Sequence, residues 1–454
     1  MALATSPDPG AEMNRRHEFG LAMVVAALLF SGCTQAVVTP FAGGPTAAPS
    51  AGVPVTAPSA GGPAATPSAG AMPTGQASAA SPTTGATPRP AQWVSAGTMN
   101  LGRSATHAIL LSTGDVLVVG EDAACEGEGV YGGSKSVFAE IYHSRTGTWT
   151  TTGSLNAPRA YFAAEPLANG RALVTGGVNG DGVSYSSTKI YDETAGTFTQ
   201  PGLLNYARTS PAYALLKDGR VLVAGGIYYA SPGSDGKSLS SAEIFDPATA
   251  KWSMTGAMHQ ARDDFQAVTL TDGRVLAVGG SSITVTTAEL WDPATGKWSN
   301  AGSLATNRFD FSLVALPDGS ALVAGGMGDD AGVLAGAERF DPAALTWSSA
   351  GNMQTAAAGR MAAVLANGKV LLAGGWVSVR NRLTASEVYD PATGSWTPTV
   401  PLPHTRADGQ AVPLADGSVL IAGGDDDAFN GGAVGGGDCR RALPEALRYI
   451  PTVP

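Results

Sequence analysis

The chain has 454 residues and a net charge of −10, and charged residues make up only 14% of it, against about 25% in ordinary soluble proteins. Glycine is abundant, at 60 residues, so the chain must be rich in turns and poor in solvated helix faces. An acidic balance of this size argues against nucleic acid or an anionic lipid surface as a partner, because phosphate recognition needs clustered Lys and Arg.

Residues 1–12 carry no apolar period, and Met13 opens a better-organised segment. Asn14-Arg15-Arg16-His17 is basic, Gly20 to Phe30 is uncharged and mostly apolar, and Ser31-Gly32 supplies small residues before Cys33. An apolar run of eleven residues is too short for the ~20 of a membrane-crossing helix but fits a secretory leader. Met13 is therefore read as the true start and 1–32 as a signal peptide. Leu29-Phe30-Ser31-Gly32-Cys33 resembles a bacterial lipoprotein signal, with Phe30 where an aliphatic residue is usual. That resemblance implies lipid attachment at Cys33; the alternative is a plain signal cleaved nearby.

Between Glu18 and Arg89 there is no Asp, Glu, Lys or Arg. Thr34 to Gln92 is mostly Pro, Ala, Thr, Ser and Gly, with a nine-residue repeat at Ala48-Pro49-Ser50, Ala57-Pro58-Ser59 and Thr66-Pro67-Ser68. Such a segment cannot bury enough apolar surface to offset its entropy. Residues 33–92 are thus expected to be a lipidated Cys plus a disordered tether, reaching roughly 40 Å as a flexible coil.

From Trp93 onward the chain repeats. One unit runs Asp318-Gly319-Ser320-Ala321-Leu322-Val323-Ala324-Gly325-Gly326, then Ala337-Glu338-Arg339-Phe340-Asp341-Pro342, with Trp347 seven residues after Phe340. The first glycine of the pair recurs at Gly120, Gly176, Gly225, Gly279, Gly325, Gly374 and Gly423, spaced 56, 49, 54, 46, 49 and 49. Asp-Gly or Asn-Gly dipeptides between apolar runs predict hairpin turns using positive φ. The apolar run that follows predicts a strand buried on both faces. The paired glycines predict close backbone approach near the axis.

The third-strand aromatics are Tyr142, Tyr191, Phe245, Trp291, Phe340, Tyr389 and Tyr449. Six are followed seven residues later by Trp149, Phe198, Trp252, Trp298, Trp347 or Trp396; the chain stops before a seventh. Trp93, with Gly97-Thr98-Met99 after it, is expected to supply that missing outer strand and so remove the open edges of a linear array. Across 93–454 these motifs resemble the kelch repeat family. The resemblance implies an all-β fold: a seven-bladed kelch-type β-propeller closed by an N-terminal strand, preceded by signal peptide and linker. It says little of function, since propellers host enzymes, adhesins and scaffolds alike.

Cys125 and Cys439 follow the paired-glycine positions of blades 1 and 7, which are neighbours only in a closed ring. A Cys125–Cys439 disulfide is expected. It would close a loop of more than 300 residues, worth about 4–5 kcal/mol in the chain-entropy view. Two free thiols or a metal-ligand pair are the alternatives.

Two groups of polar residues are candidates for a site on the loop-bearing face. Arg103, Arg159, Arg208, Arg262, Arg308 and Arg406 each stand four residues after a Met or Leu, with Ala357 and nearby Arg360 in the remaining blade. Acids gather beside them at Asp263, Asp264, Asp310 and Asp408, and after the glycines at Glu121, Asp122, Asp329, Asp330, Asp425, Asp426 and Asp427. One reading is a polar funnel for a sugar, peptide or cation. The other is structural: Glu140, Glu243, Glu289, Glu338 and Glu387 recur too, and residues repeated in every blade serve the repeat. The variable acids are the better ligand candidates.

Galactose oxidase, a kelch-fold enzyme, needs tyrosines and histidines converging on copper. Here His107, His143, His259 and His404 fall in different blades, so no metal, cofactor or catalytic residue is assigned. The expected protein is a monomeric, lipid-anchored recognition module of the bacterial cell envelope, binding a protein or glycan. The alternative is a carbohydrate-active enzyme, oxidase-like or a sugar mutarotase or isomerase.

Overall fold

The computed structural model describes residues 89–122, 137–280, 286–328, 332–378, 381–429 and 440–452. The signal segment, residues 33–88 of the expected tether, Cys33, Cys125, Cys439, Asp329 and Asp330 lie outside them, while Gln92, expected as the tether's last residue, already belongs to the strand Gln92–Thr98. So do the side chains of Glu121 and Asp122. Among the described residues every regular element is a strand.

The strands form seven four-stranded antiparallel sheets. In blade 3 the order is Ala212–Leu215, Val221–Ala224, Ala242–Asp246 and Lys251–Met254, each paired with the next. Blades 1, 2, 4, 5 and 6 repeat this order. Blade 7 contains Gln410–Pro413, Val419–Ala422 and Glu445–Ile450, and its fourth strand is Gln92–Thr98 from the other end of the chain. Trp93 lies opposite Tyr449, ring centroids 5.1 Å apart. Trp93 thus takes the place that Trp149 holds against Tyr142 and Trp396 against Tyr389. The first strands of successive blades touch all round the circle, the seventh meeting the first, so they line the axis.

Hydrophobic packing lies between blades. Second strands such as Val221–Ala224 and Val370–Ala373 are buried throughout, because each is sandwiched by two neighbouring sheets. The blade 7–blade 1 junction is packed like the others: Leu420, Ala422 and Ala446 meet Val116, Val118 and Tyr142. On the outer strands the Trp indoles reach back to the preceding blade. Trp149 Nε1 donates to the Ala96 carbonyl, Trp347 to Ala301, Trp396 to Ala350 and Trp93 to Val400, at 2.8–2.9 Å.

The hairpin turns refine the expectation from sequence. In Leu216–Arg220 the Gly219 amide donates to the Leu216 carbonyl and only Gly219 takes positive φ (85°). Asp218 is there for its side chain, which accepts the Arg220 amide. Asp318, Asn367 and Asp416 act in the same way. Asn169 alone adds a positive φ of its own before its glycine.

The ring closes through Trp93, and that can be measured. Trp93→Ala should destabilise the domain by about 3 kcal/mol, read as a lower denaturation midpoint. A chain starting at Met99, which exposes the edge of Glu445–Ile450, should lose a single cooperative unfolding transition.

Candidate functional site

The six recurring arginines do one job. Each Nη1 donates to the carbonyl of the first glycine of its own blade, 17 residues on: Arg103 to Gly120, Arg159 to Gly176, Arg208 to Gly225, Arg262 to Gly279, Arg308 to Gly325 and Arg406 to Gly423, at 2.7–3.0 Å. Meanwhile the backbone carbonyl of four of these arginines accepts the second glycine's amide from the preceding blade. Gly177 donates to Arg208, Gly226 to Arg262, Gly375 to Arg406, and Gly424 of blade 7 to Arg103 of blade 1. A side chain on these glycines would strike the neighbour: a Cβ on Gly225 would lie 2.5 Å from the Arg262 carbonyl oxygen.

The recurring glutamates complete the unit. Glu140, Glu243, Glu289, Glu338 and Glu387 pair with Arg103, Arg208, Arg262, Arg308 and Arg360 at 2.7–3.3 Å. Each also accepts backbone amides of the segment entering its blade; Glu243 takes those of Asn205 and Tyr206. In blade 6, where Ala357 holds the arginine position, Arg360 swings in to pair with Glu387. These guanidinium groups are all but closed to solvent, Arg208 and Arg406 at 0% exposed. Their donors are therefore committed within and between blades, not presented at the face.

What is presented lies two residues further on. Tyr161, Ser210, Asp264, Asp310, Gly359 and Asp408 all take positive φ, between 47° and 60°. Such geometry is costly for a side-chain-bearing residue and persists only where its surroundings hold it. The residues touch in sequence round the axis. The Ser210 amide donates to the Tyr161 carbonyl, the Gly359 amide to Asp310, and the Asp408 amide to Gly359. The Ser210 hydroxyl bonds the Asp264 carboxylate. Three predicted site residues, Asp264, Asp310 and Asp408, are thus brought to one opening.

All three aspartates are open to solvent by area, yet the ring crowds Asp264 and Asp310. Loss of hydration pushes the Asp264 carboxyl up to about 6, with Asp263 and Asp310 adding repulsion. The same crowding raises Asp310. Among the described residues neither has a cationic partner, whereas Asp408 lies 3.7 Å from Arg382. Asp425, Asp426 and Asp427 serve another purpose: Arg382 donates to Asp425 and, through its amide, to Asp427, and Arg441 pairs with Asp426. They clamp the loops of blades 6 and 7.

Below the rim the inner strands hold three groups that the sequence reading left unassigned. The His107 ring packs on Phe162 (4.5 Å) and Tyr213 (5.7 Å). Burial lowers its pKa to about 4. Glu165 accepts the Leu215 amide, and burial pushes its carboxyl up to about 8. Tyr213 is raised by burial and by Glu165. The only sequence signal was a charged residue inside Ala163–Leu167, where Ile, Val or Ala stands in the other blades. A shallow cleft at His259, Gln260 and Trp298 lies elsewhere, and its Glu289 already serves Arg262.

The histidines stay apart. His143 bonds Asp115 and Thr150, His259 bonds Glu289, and His404 pairs with Glu445. Among the described residues no three His, Cys, Asp or Glu side chains are placed to share a metal ion. The donor set around His107, with Tyr213 but no second imidazole, does not fit a copper centre built on converging histidines.

Stability should report the channel carboxyl. Between pH 6.5 and 8 the unfolded chain has already released the Glu165 proton while the folded chain keeps it, so stability falls as pH rises. Glu165→Gln should flatten that slope in denaturation midpoints measured across the window. Separately, Glu243→Leu should cost about 3–5 kcal/mol by leaving Arg208 buried without its counter-ion, read by chemical denaturation.

Comparison with known proteins agrees with this architecture. A family model described as "Kelch motif" matches residues 214–259 and 357–403. No curated protein matches the sequence. Among solved structures the chain resembles a fungal alcohol oxidase of the AA5 family in complex with copper, with a TM-score of 0.64 and 20% identity, covering 80% of this chain and 77% of that one. At that identity the likeness speaks for the fold alone. The chain is thus a seven-bladed β-propeller, and two of its repeats match the Kelch motif.

Proposed function

We propose that this protein is an envelope-tethered recognition module that takes a carbohydrate at the axial opening of its ring. One observation carries the reading. The recurring arginines and glutamates are buried and hold blades together, while the position that varies, occupied by Tyr161, Ser210, Asp264, Asp310, Gly359 and Asp408, stands at the same mouth. A rigid scaffold that varies only what it presents is built for recognition.

The chemistry suits hydroxyl groups. Carboxylates accept from sugar hydroxyls, and Tyr161, at 44% exposed, offers an aromatic face. Trp376 stands beside Asp408 over Gly359. The tether of residues 33–92, anchored through Cys33, would hold this face away from the lipid surface.

A glycan array probed with the 93–454 head inside its full chain tests this. A bound glycan whose affinity falls about tenfold or more in Asp264→Asn/Asp310→Asn, and which weakens as pH drops below 6 and Asp264 is protonated, is the expected result. Binding of basic peptides and of no glycan would replace carbohydrate by protein as the ligand.

A second reading, catalysis on a sugar, draws on the gathering of His107, Glu165 and Tyr213, since titratable groups pushed from their usual values in one channel mark reactive sites. Metal analysis with oxidase and mutarotase assays separates the two. Turnover lost in Glu165→Gln would favour the enzyme.

A further inference from the structure

Seven copies of one unit provide an internal control, and blade 2 departs from it. Two residues before the third-strand aromatic, five blades place a glutamate whose carboxylate meets the ring arginine. Blade 2 places Lys189 there instead. Arg159 is nevertheless retained and buried, at 3% exposed, with Lys189 beside it at 8%. Where those five blades neutralise the guanidinium, this one adds a second cation.

The surroundings have adapted with neutral groups only. Arg159 donates to the Ser187 carbonyl and hydroxyl and lies over the Tyr185 ring, 4.8 Å from its centroid. Lys189 donates to Gln200 Oε1 at 2.9 Å. The Asn156 amide, whose counterparts in five blades point at the glutamate, turns to Ser154 Oγ, and Asn156 alone among them takes positive φ, 63°. Among the described residues no carboxylate pairs with Arg159 or Lys189. Burial pulls Arg159 down to about 10, and burial together with the neighbouring Arg159 charge lowers Lys189. Blade 7 also lacks the glutamate, with Leu447 in its place, but it adds no cation, and the Glu445 and Asp426 charges act on Arg406.

The geometry points to an anion site at the junction of blades 1 and 2, formed by Arg159 and Lys189 and shaped for the carboxylate group of a small acid such as a uronic acid or a short organic acid. The warrant is the repeat itself: a carboxylate occupies this place in five sister blades, and here both its cationic receptor and an extra ammonium remain without one. Two buried cations gain more from one shared anion than an exposed pair would. The site is separate from the axial mouth and stands or falls independently of the carbohydrate reading.

The full chain is tested by thermal denaturation in sodium acetate and in sodium glucuronate against sodium chloride at equal ionic strength. The expected result is a saturable rise in midpoint with the carboxylates. Lys189→Glu, which restores the repeat, should raise the midpoint without any carboxylate and abolish the response. Lys189→Gln, which removes one cation and adds no carboxylate, should bind about tenfold more weakly. No carboxylate effect on the natural chain would overturn the site, and so would an equal response in Lys189→Glu and Lys189→Gln.

Discussion

A buried guanidinium in six of the seven blades, reaching across to its own blade's glycine carbonyl, together with the backbone carbonyl at the same position, which holds the blade before it, is the interaction from which the ring is built. Burying a charge is costly unless it is paired and its donors are satisfied. Here backbone carbonyls take the Nη1 donors and, in four of these blades, a glutamate supplies the counter-charge, so the guanidinium is held in one place. The second glycine amide then has a fixed acceptor in the next blade. Because Gly424 donates to Arg103, the same contact that joins blade 3 to blade 4 also joins the last blade to the first. Hydrophobic packing fills every junction, but it is the directional contact that fixes how far each blade turns from its neighbour.

Function follows from what this contact leaves over. Two residues past this position the chain of blades 2 to 7 turns sharply into the inner strand. It does so in the left-handed region whether the residue is Gly359, Ser210 or Asp264. That strain is tolerated because the neighbours' backbone bonds hold it, and it points a variable side chain at the axis. Two uncompensated aspartates share the rim with an exposed tyrosine, and a histidine, a glutamic acid and a tyrosine lie beneath it. The Glu165 carboxyl, pushed up to about 8, makes this interior less charged at neutral pH than its composition suggests. That favours polar, neutral ligands.

Much of the architecture was legible in the chain. The near-50-residue period, the Asp-Gly turns and the stranded Trp93 each carry a local physical requirement, and together they imply the closed ring. The pairing of Arg with Glu was legible as a recurrence, since both repeat in step. What escaped depends on distance. Asp264, Asp310 and Asp408 are far apart in sequence and meet only once the circle is closed. His107, Glu165 and Tyr213 sit on inner strands of three blades, and only the register of those strands decides that their side chains meet. The rescue of Ala357 by Arg360, three residues later, needs the three-dimensional position of Glu387 to be recognised. The Asp425–Asp427 run suggested a cation, but its partners Arg382 and Arg441 come from loops whose approach the sequence does not show.

Amide hydrogen exchange at the second glycine of each pair tests the closed ring most directly. The Gly424 amide, bonded to the Arg103 carbonyl, should exchange as slowly as the Gly226 amide bonded to Arg262, and both only through global unfolding. Exchange of Gly424 faster than Gly226 by about a hundredfold or more, while the other junctions stay protected, would show that the last blade is not joined to the first as the others are joined.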